Sequence, residues 1–576
     1  MVVSNVYLIV AVRDLCCGSL CFSPFSHLLK GEHVMKDEDS FASHEPSPTT
    51  SDAERGGDSD GHPLPAPPAV PQDAPPPAHP PHMERQLTLR HYGRLLLVAM
   101  VVFVVLAGGY GVFRAVSPPP RQAFSPFQQT HCPFPLGKGL SEGKDVRCGF
   151  LVVPEDRSHV PGPTIRLAVA IFKTPSSNPA PDPVLVLGGG PGNALLENQG
   201  PTYNADNLAY RLGNRDLIAL EQRGTGYSQP SLRCLDNEDF RACHDRLLKS
   251  GINLNAFTTL EDAADVHDLI QTLGYQQVNL EGTSYGTRLA LTVMRQYPAD
   301  LRSVVLDSVI PPQVNFFTSM APSAQRAFDV LFHRCTLDPH CNATYPNLQT
   351  VFYQLVADLN HTPITFDTTS QIGKSLTIHF TGNDLVLWVR QSLTFTWFIP
   401  PLPALLFQIR QHNYTQLAQI YSHNSINPTM SAGLFYSIEC GEDMAFITQH
   451  DLEASAQGLP PQIRPALLDP DLFNFSVCQF WGMKPVPAIQ KEPVRSSIPT
   501  LILQGEYDPV TPPANGMLAT QTLSKGYFFL FPGVGHGVLD SRTGNCPNDI
   551  MNAFLANPAE KPDVSCISTM TEPFFA

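Results

Sequence analysis

Gly282-Thr283-Ser284-Tyr285-Gly286 stands between an alternating run, Tyr275-Gln276-Gln277-Val278-Asn279-Leu280, and a helix-like run, Arg288-Leu289-Ala290-Leu291-Thr292-Val293-Met294. The order reads as strand, sharp turn, helix. Glycines two positions before and after Ser284 let the strand and helix backbones approach closely. They allow the serine a strained conformation, with its hydroxyl pointing out of the top of a parallel sheet. That geometry serves nucleophilic attack on an acyl carbon. Glycine and serine are also common loop residues, so the pentapeptide decides the fold only together with what surrounds it.

Three other segments supply that company. Upstream, the apolar strand Pro183-Val184-Leu185-Val186-Leu187 runs into Gly188-Gly189-Gly190-Pro191-Gly192. Such a turn can aim the N–H of Gly189 or Gly190 at a developing oxyanion, with the N–H of Tyr285 as second donor. Downstream, the strand Thr500-Leu501-Ile502-Leu503-Gln504-Gly505 precedes Glu506-Tyr507-Asp508-Pro509-Val510-Thr511-Pro512, and the strand Tyr527-Phe528-Phe529-Leu530-Phe531 precedes Gly533-Val534-Gly535-His536-Gly537. Taken singly, Ser284, Asp508 and His536 read as turn and loop residues. Taken together, in the order Ser, Asp, His and each at a strand end, they read as a catalytic triad. Glu506 and Asp307 remain alternatives for the acid.

Gly189-Gly190-Pro191-Gly192, Gln222-Arg223-Gly224-Thr225-Gly226-Tyr227-Ser228, the Ser284 pentapeptide, Leu306-Asp307-Ser308, Asp508-Pro509-Val510-Thr511-Pro512 and Gly535-His536-Gly537 resemble the secreted tripeptidyl-aminopeptidase-like branch of the α/β-hydrolases, related to proline iminopeptidases. The resemblance runs from about Phe134 to Cys566. It departs at Gly188, where iminopeptidases have His, and at Glu221, where the family has Asp. It implies an α/β fold with a mostly parallel central sheet, and a large, mainly helical cap inserted between the sixth strand and the strand before the acid.

The strand–helix alternation agrees with helices on both faces of such a sheet. Gly149-Phe150-Leu151-Val152-Val153-Pro154 and Thr164 to Phe172 read as an antiparallel pair, and Asp216 to Leu220 as a buried strand. Thr259 to Ile270 reads as an amphipathic helix with Thr259 as its cap and His267 on its surface. From about 312 to 496 the alternation stops and aromatic-rich helical segments follow, with Trp388, Phe395, Trp397, Phe398 and Phe435 among them. This places the core at 125–311 and 497–576, with 312–496 as the cap. Within the cap, Ser437-Ile438-Glu439-Cys440-Gly441-Glu442-Asp443 gathers three carboxylates. The resemblance implies that Glu442, with Glu439 as a second candidate, binds a substrate's free α-amino group. The plainer reading is a solvated acidic loop.

The chain has 576 residues, enough for one capped catalytic unit with appendages. A net charge of −15 without long basic runs excludes nucleic acid as a partner. Residues 1–84 are acidic and then proline-dense, and are expected to be disordered. Met83 opens a stretch with the layout of a targeting signal, so residues 1–82 stand apart from it. Residues 95–113 are uncharged and long enough to cross about 30 Å of hydrocarbon, so they read as a signal anchor, with a cleaved signal peptide as the alternative. Membrane contact is expected through this one segment.

Ten cysteines follow it, and neighbours are expected to pair as Cys132–Cys148, Cys234–Cys243, Cys335–Cys341, Cys440–Cys478 and Cys546–Cys566 in an oxidising compartment. The sequons at Asn342, Asn360, Asn413 and Asn474 agree with a luminal or extracellular body. No spacing suggests a metal, and no cofactor is expected. The expected function is a serine exopeptidase acting at peptide N-termini, with a carboxylesterase as the alternative and a non-catalytic binding protein on the same fold as the third class. The substrate would be a peptide or a small ester.

Overall fold

Short runs of Val, Leu and Ile between glycine- and proline-rich turns become strands because branched side chains pack well on a pleated surface. In the computed structural model they are β1 (Gln128–Thr130), β2 (Val146–Pro154), β3 (Thr164–Phe172), β4 (Val184–Leu187), β5 (Leu217–Leu220), β6 (Val278–Thr283), β7 (Leu301–Asp307), β8 (Ile364–Thr369), β9 (Ser375–Phe380), β10 (Thr500–Gly505) and β11 (Gly526–Phe531). The structure describes residues 127–236, 238–369, 375–423, 429–540, 544–570 and 575. The 1–84 region and the 95–113 membrane candidate lie outside the described residues. Among those described, no helix is long and apolar enough to cross a membrane.

Nine strands form one sheet in the order β1-β2-β3-β5-β4-β6-β7-β10-β11. β1, β2, β3 and β5 pair antiparallel in succession, and the remaining pairs are parallel. β4 and β5 are buried at every position, as continuous apolar runs at the centre of a sheet covered on both faces must be. Chain order reverses around β4, and in open sheets of this kind the crevice beyond the strand ends at such a switch point receives the ligand. The register lines up the ends that matter: Leu187 opposes Gly282, Thr283 opposes Asp307, and Asp307 opposes Leu503.

The helices used below are α1 (Leu195–Gln199), α2 (Thr259–Leu273), α3 (Tyr285–Gln296), α4 (Phe316–Leu337), α5 (Ala432–Glu442) and α6 (Arg464–Trp481). α4 to α6 belong to the long insertion between β7 and β10, which has its own apolar core around Phe328, Phe352, Trp388 and Leu402. The insertion also contains an antiparallel ribbon of β8 and β9, absent from the helical expectation. The α2 cap is Thr258, whose hydroxyl accepts from the Glu261 N–H, and not Thr259. His267 is half-buried: it stacks on Tyr297 at 4.3 Å, and its Nδ1 lies 2.5 Å from Asp300, so it is not a free surface residue.

The structure links Cys132 to Cys148, Cys234 to Cys243, Cys335 to Cys341, Cys440 to Cys478 and Cys546 to Cys566. The link across 38 residues joins the buried end of α5 to α6. Asn342, Asn360 and Asn413 are exposed. Asn474 is buried on α6 and accepts the Tyr436 hydroxyl, so the folded chain leaves no room for a glycan there.

Candidate active site

Ser284 sits between β6 and α3 with φ +59° and ψ −124°, a conformation that L residues rarely adopt. Its N–H donates to the Asp307 carbonyl at 3.0 Å, which ties the strained turn to the neighbouring strand. A side chain at Gly282 would place its Cβ 2.4 Å from the Gly286 carbonyl oxygen, and one at Gly286 would reach 2.3 Å from that of Leu187. Both positions require glycine because β4, β6 and α3 touch backbone to backbone. Ser284 itself is 5 % exposed, beneath the insertion.

The glycine-rich turn follows β4 directly and is fixed from two sides. Gln222 donates from Nε2 to the Gly188 carbonyl, and the N–H of Ser431, just before α5, donates to the Gly192 carbonyl at 2.8 Å. Glu221 is fully buried beneath α1 and accepts the Leu196 N–H at 2.5 Å. Burial pushes its carboxyl up to about 8, so it is mainly uncharged at neutral pH. Leu187 and Gly282 are register partners, so the turn that carries Gly189 and Gly190 and the turn that carries Ser284 and Tyr285 leave the ends of adjacent strands.

On the other side, His536 Nδ1 lies 2.8 Å from Asp508 Oδ2. Asp508 is fully buried, and burial alone would raise it, but the charge of His536 and hydrogen bonds hold it below the usual carboxylate range. Its Oδ1 accepts the N–H groups of Val510 (2.8 Å) and Thr511 (2.9 Å), and its Oδ2 also accepts the Thr511 hydroxyl at 2.7 Å. The two alternative acids are engaged elsewhere. Glu506 pairs with Arg334 and accepts the Gly533 N–H at 3.0 Å. Asp307 accepts the N–H groups of Val538 (2.8 Å) and Leu539 (3.0 Å), which holds the loop carrying His536, and burial pushes its carboxyl up to about 6.

The acidic segment of the insertion is the end of α5, buried throughout, and not a solvated loop. Glu442 accepts the N–H and hydroxyl of Thr259, each at 2.7 Å, and that hydroxyl lies 2.9 Å from the Tyr285 hydroxyl. Asp443 pairs with Arg288 at 2.7 Å and with Lys491, and although burial works against it, these cations hold it ionised. Glu439 is 3 % exposed, and its Oε2 has no hydrogen-bond partner. Burial first, then the charge of Asp443, raises its carboxyl well above the ordinary value. Glu442 borders a small hollow with Arg288, Thr292 and Lys491, and no triad member lines it.

Arg326 on α4 had no motif to announce it, yet its guanidinium donates to the carbonyl oxygens of Glu506 (2.8 Å) and Asp508 (2.7 Å). Of the insertion's aromatics, Trp388 packs edge-on against Phe398 at 5.8 Å, while Trp397 is 47 % exposed.

A family model described as alpha/beta hydrolase fold matches residues 182–543. The chain is 25 % identical over 463 residues to "Putative hydrolase YuaR" of Escherichia coli (strain K12), covering 74 % of this chain and 89 % of that protein. It is 23 % identical over 462 residues to "Serine protease Hip1" of Mycobacterium tuberculosis (strain ATCC 25618 / H37Rv), covering 72 % and 86 %. A shorter match, 28 % over 203 residues, is to "Tripeptidyl aminopeptidase" of Streptomyces lividans, covering 29 % and 36 %.

Proposed function

The chain belongs to the alpha/beta hydrolase fold family and is a serine hydrolase, and on that premise we propose that it is an exopeptidase that releases residues or short peptides from free N-termini. The observation that carries the reading is a pair of features connected through α5 and the glycine-rich turn. One is the Ser284 turn with the Asp508–His536 hydrogen bond, and the other is the buried carboxylate Glu439, whose Oε2 lacks a partner. α5 starts against the glycine-rich turn at Ser431 and ends at Glu442, bonded to Thr259 beside the hydroxyl of Tyr285, the residue that follows Ser284.

In the proposed reaction the Ser284 hydroxyl attacks the scissile carbonyl while His536 takes its proton. Asp508 holds Nδ1–H and stabilises the imidazolium that forms. The N–H groups of Tyr285 and of Gly189 or Gly190 receive the oxyanion, each donor being worth on the order of 3 kcal/mol in barrier. His536 then hands the proton to the leaving amine, and water releases the acyl group by the same steps in reverse. Glu439 takes the substrate's ammonium, and Glu442 supports it through Thr259. Glu442's oxygens already accept two donors, which favours Glu439 as the direct contact. An arriving cation restores the negative charge that burial suppresses at Glu439.

The five disulfides suit an oxidising compartment, so the catalytic body is proposed to be luminal, extracellular or secreted, with 95–113 as its membrane segment where the chain remains anchored. Peptide anilides with free and with acetylated N-termini test the activity. Turnover confined to the free form is expected. Equal turnover of both, together with faster cleavage of simple esters, would move the assignment to a carboxylesterase.

A further inference from the structure

We propose that the cap is an integral part of the acid–base pair rather than a detachable lid, with Arg326 and Thr396 as positioning residues that set the Asp508–His536 hydrogen bond. The inference rests on the reading of Ser284, His536 and Asp508 as the reacting groups. The acid and the base both sit on loops beyond strand ends, where the sheet ladder no longer pairs their backbone, and backbone groups buried there need partners from elsewhere. The cap supplies them.

On the acid side, Arg326 spans the loop with two bonds, Nη1 to the Glu506 carbonyl oxygen at 2.8 Å and Nη2 to that of Asp508 at 2.7 Å. Arg334, two turns along α4, donates from Nε to Glu506 Oε1 at 2.9 Å, and Glu506 Oε2 accepts the Gly533 N–H at 3.0 Å. One cap helix therefore grips the acid loop and, through Glu506, the loop that carries the base. On the base side, the Gly535 N–H donates to Thr396 Oγ1 at 3.0 Å, and the N–H of His536 itself donates to the Thr394 carbonyl oxygen at 2.9 Å. No slack separates these layers: a Cβ on Gly535 would lie 2.4 Å from the Leu393 carbonyl oxygen, and one on Gly505 would lie 1.9 Å from that of Gly535. The base loop is thus clasped between the end of β10 and cap residues 393–396. Cationic donors such as Arg326 form the stronger class of hydrogen bond. A shift of about 1 Å in a reacting group can cost about 10²-fold in rate, so loss of such a clasp falls on turnover.

The test uses the whole folded chain, a small neutral ester to isolate the triad from amino-group recognition, and a fluorophosphonate to count reactive Ser284. Arg326→Met keeps the stem and removes both donors, and Thr396→Val keeps the shape and removes the acceptor. Arg326→Met is expected to lower kcat per labelled Ser284 by about 10- to 100-fold with KM within about twofold. It should also move the acid limb of kcat/KM to lower pH, because an imidazolium that loses its carboxylate gives up its proton more easily. His536 is faced by the charges of Asp508 and Asp307 and by the Thr511 hydroxyl, and only the Asp508 loop is held by Arg326. Thr396→Val should show the same pattern more weakly, and Arg326→Lys and Thr396→Ser should each recover part of the loss. If Arg326→Met does not fold, Arg326→Lys and Thr396→Val decide the matter by the same readouts. Unchanged kcat per labelled serine and an unmoved acid limb, even with a lower Tm, would overturn the proposal and leave a purely structural clamp. Failure of the unaltered protein to label at Ser284 would overturn the triad reading beneath it, a different result.

Discussion

Asp508 and Glu439 are buried to nearly the same degree, 0 % and 3 % exposed, yet their carboxyl groups are driven in opposite directions. At Asp508 two backbone N–H groups, the Thr511 hydroxyl and His536 surround the two oxygens, and the carboxylate stays ionised in spite of burial. At Glu439 one oxygen has no donor and Asp443 stands beside it, so burial prevails and the carboxyl is raised well above its ordinary value. Burial alone therefore does not decide the charge of a carboxyl group; the charges and donors that face it count as well. In the proposed mechanism the first holds a permanent charge that steadies an imidazolium, and the second receives a charge that arrives with the ligand.

The largest effect should come from removing the permanent charge. Asp508→Asn keeps the shape and several of the hydrogen bonds but offers His536 Nδ1 the wrong partner, and kcat on any substrate should fall by about 10⁴-fold. A loss below tenfold would break the comparison and turn attention to Asp307. The next effect separates the two carboxyls by substrate. Glu439→Gln should reduce kcat/KM for free N-terminal peptides by about 10²-fold, because the buried ammonium then lacks its counter-charge. Hydrolysis of a small neutral ester should stay within about twofold. Glu442→Gln should cost less on the peptide, and the reverse order would place the ammonium on Glu442.

A smaller effect extends the comparison to a third buried carboxyl, Glu221, pushed up to about 8 by burial. Its folded value lies above its unfolded one, so its contribution to stability is complete below about pH 4.5 and is lost as the pH rises through 8. Between pH 5 and 9 the Tm of the unaltered protein should decline measurably. Glu221→Gln, which cannot ionise, should flatten that decline. An identical slope in both proteins would show that Glu221 is not the group responsible.

The parts of the site that could be read from the residues are those made by local chain geometry. Ser284, Asp508 and His536 each follow a strand, and the turn that exposes each side chain is written in its flanking glycines and prolines. The ribbon β8–β9 was partly legible too: Ile364-Thr365-Phe366-Asp367 alternates apolar and polar with period two, a signal that the helical reading of the cap passed over, and the structure carries the alternation through Thr369. Thr258 and Thr259 are equivalent in composition, and only the extended backbone at Thr258 makes it the cap. What could not be read depends on contacts between distant segments. Glu439 and Glu442 share a helix face, but which of them keeps an unpaired oxygen is decided by Thr259, some 180 positions away. Arg326 looks like any cationic residue on a helix until α4 is laid across the loop 180 residues downstream that carries the acid.

The most direct test of the account is to map the covalent adduct of a fluorophosphonate on the folded protein by peptide mass spectrometry, alongside Ser284→Ala. A single adduct on Ser284, blocked by a peptide with a free N-terminus and absent together with all turnover in the alanine variant, is the predicted result. An adduct on another serine of an active preparation, or turnover that survives Ser284→Ala, would contradict it.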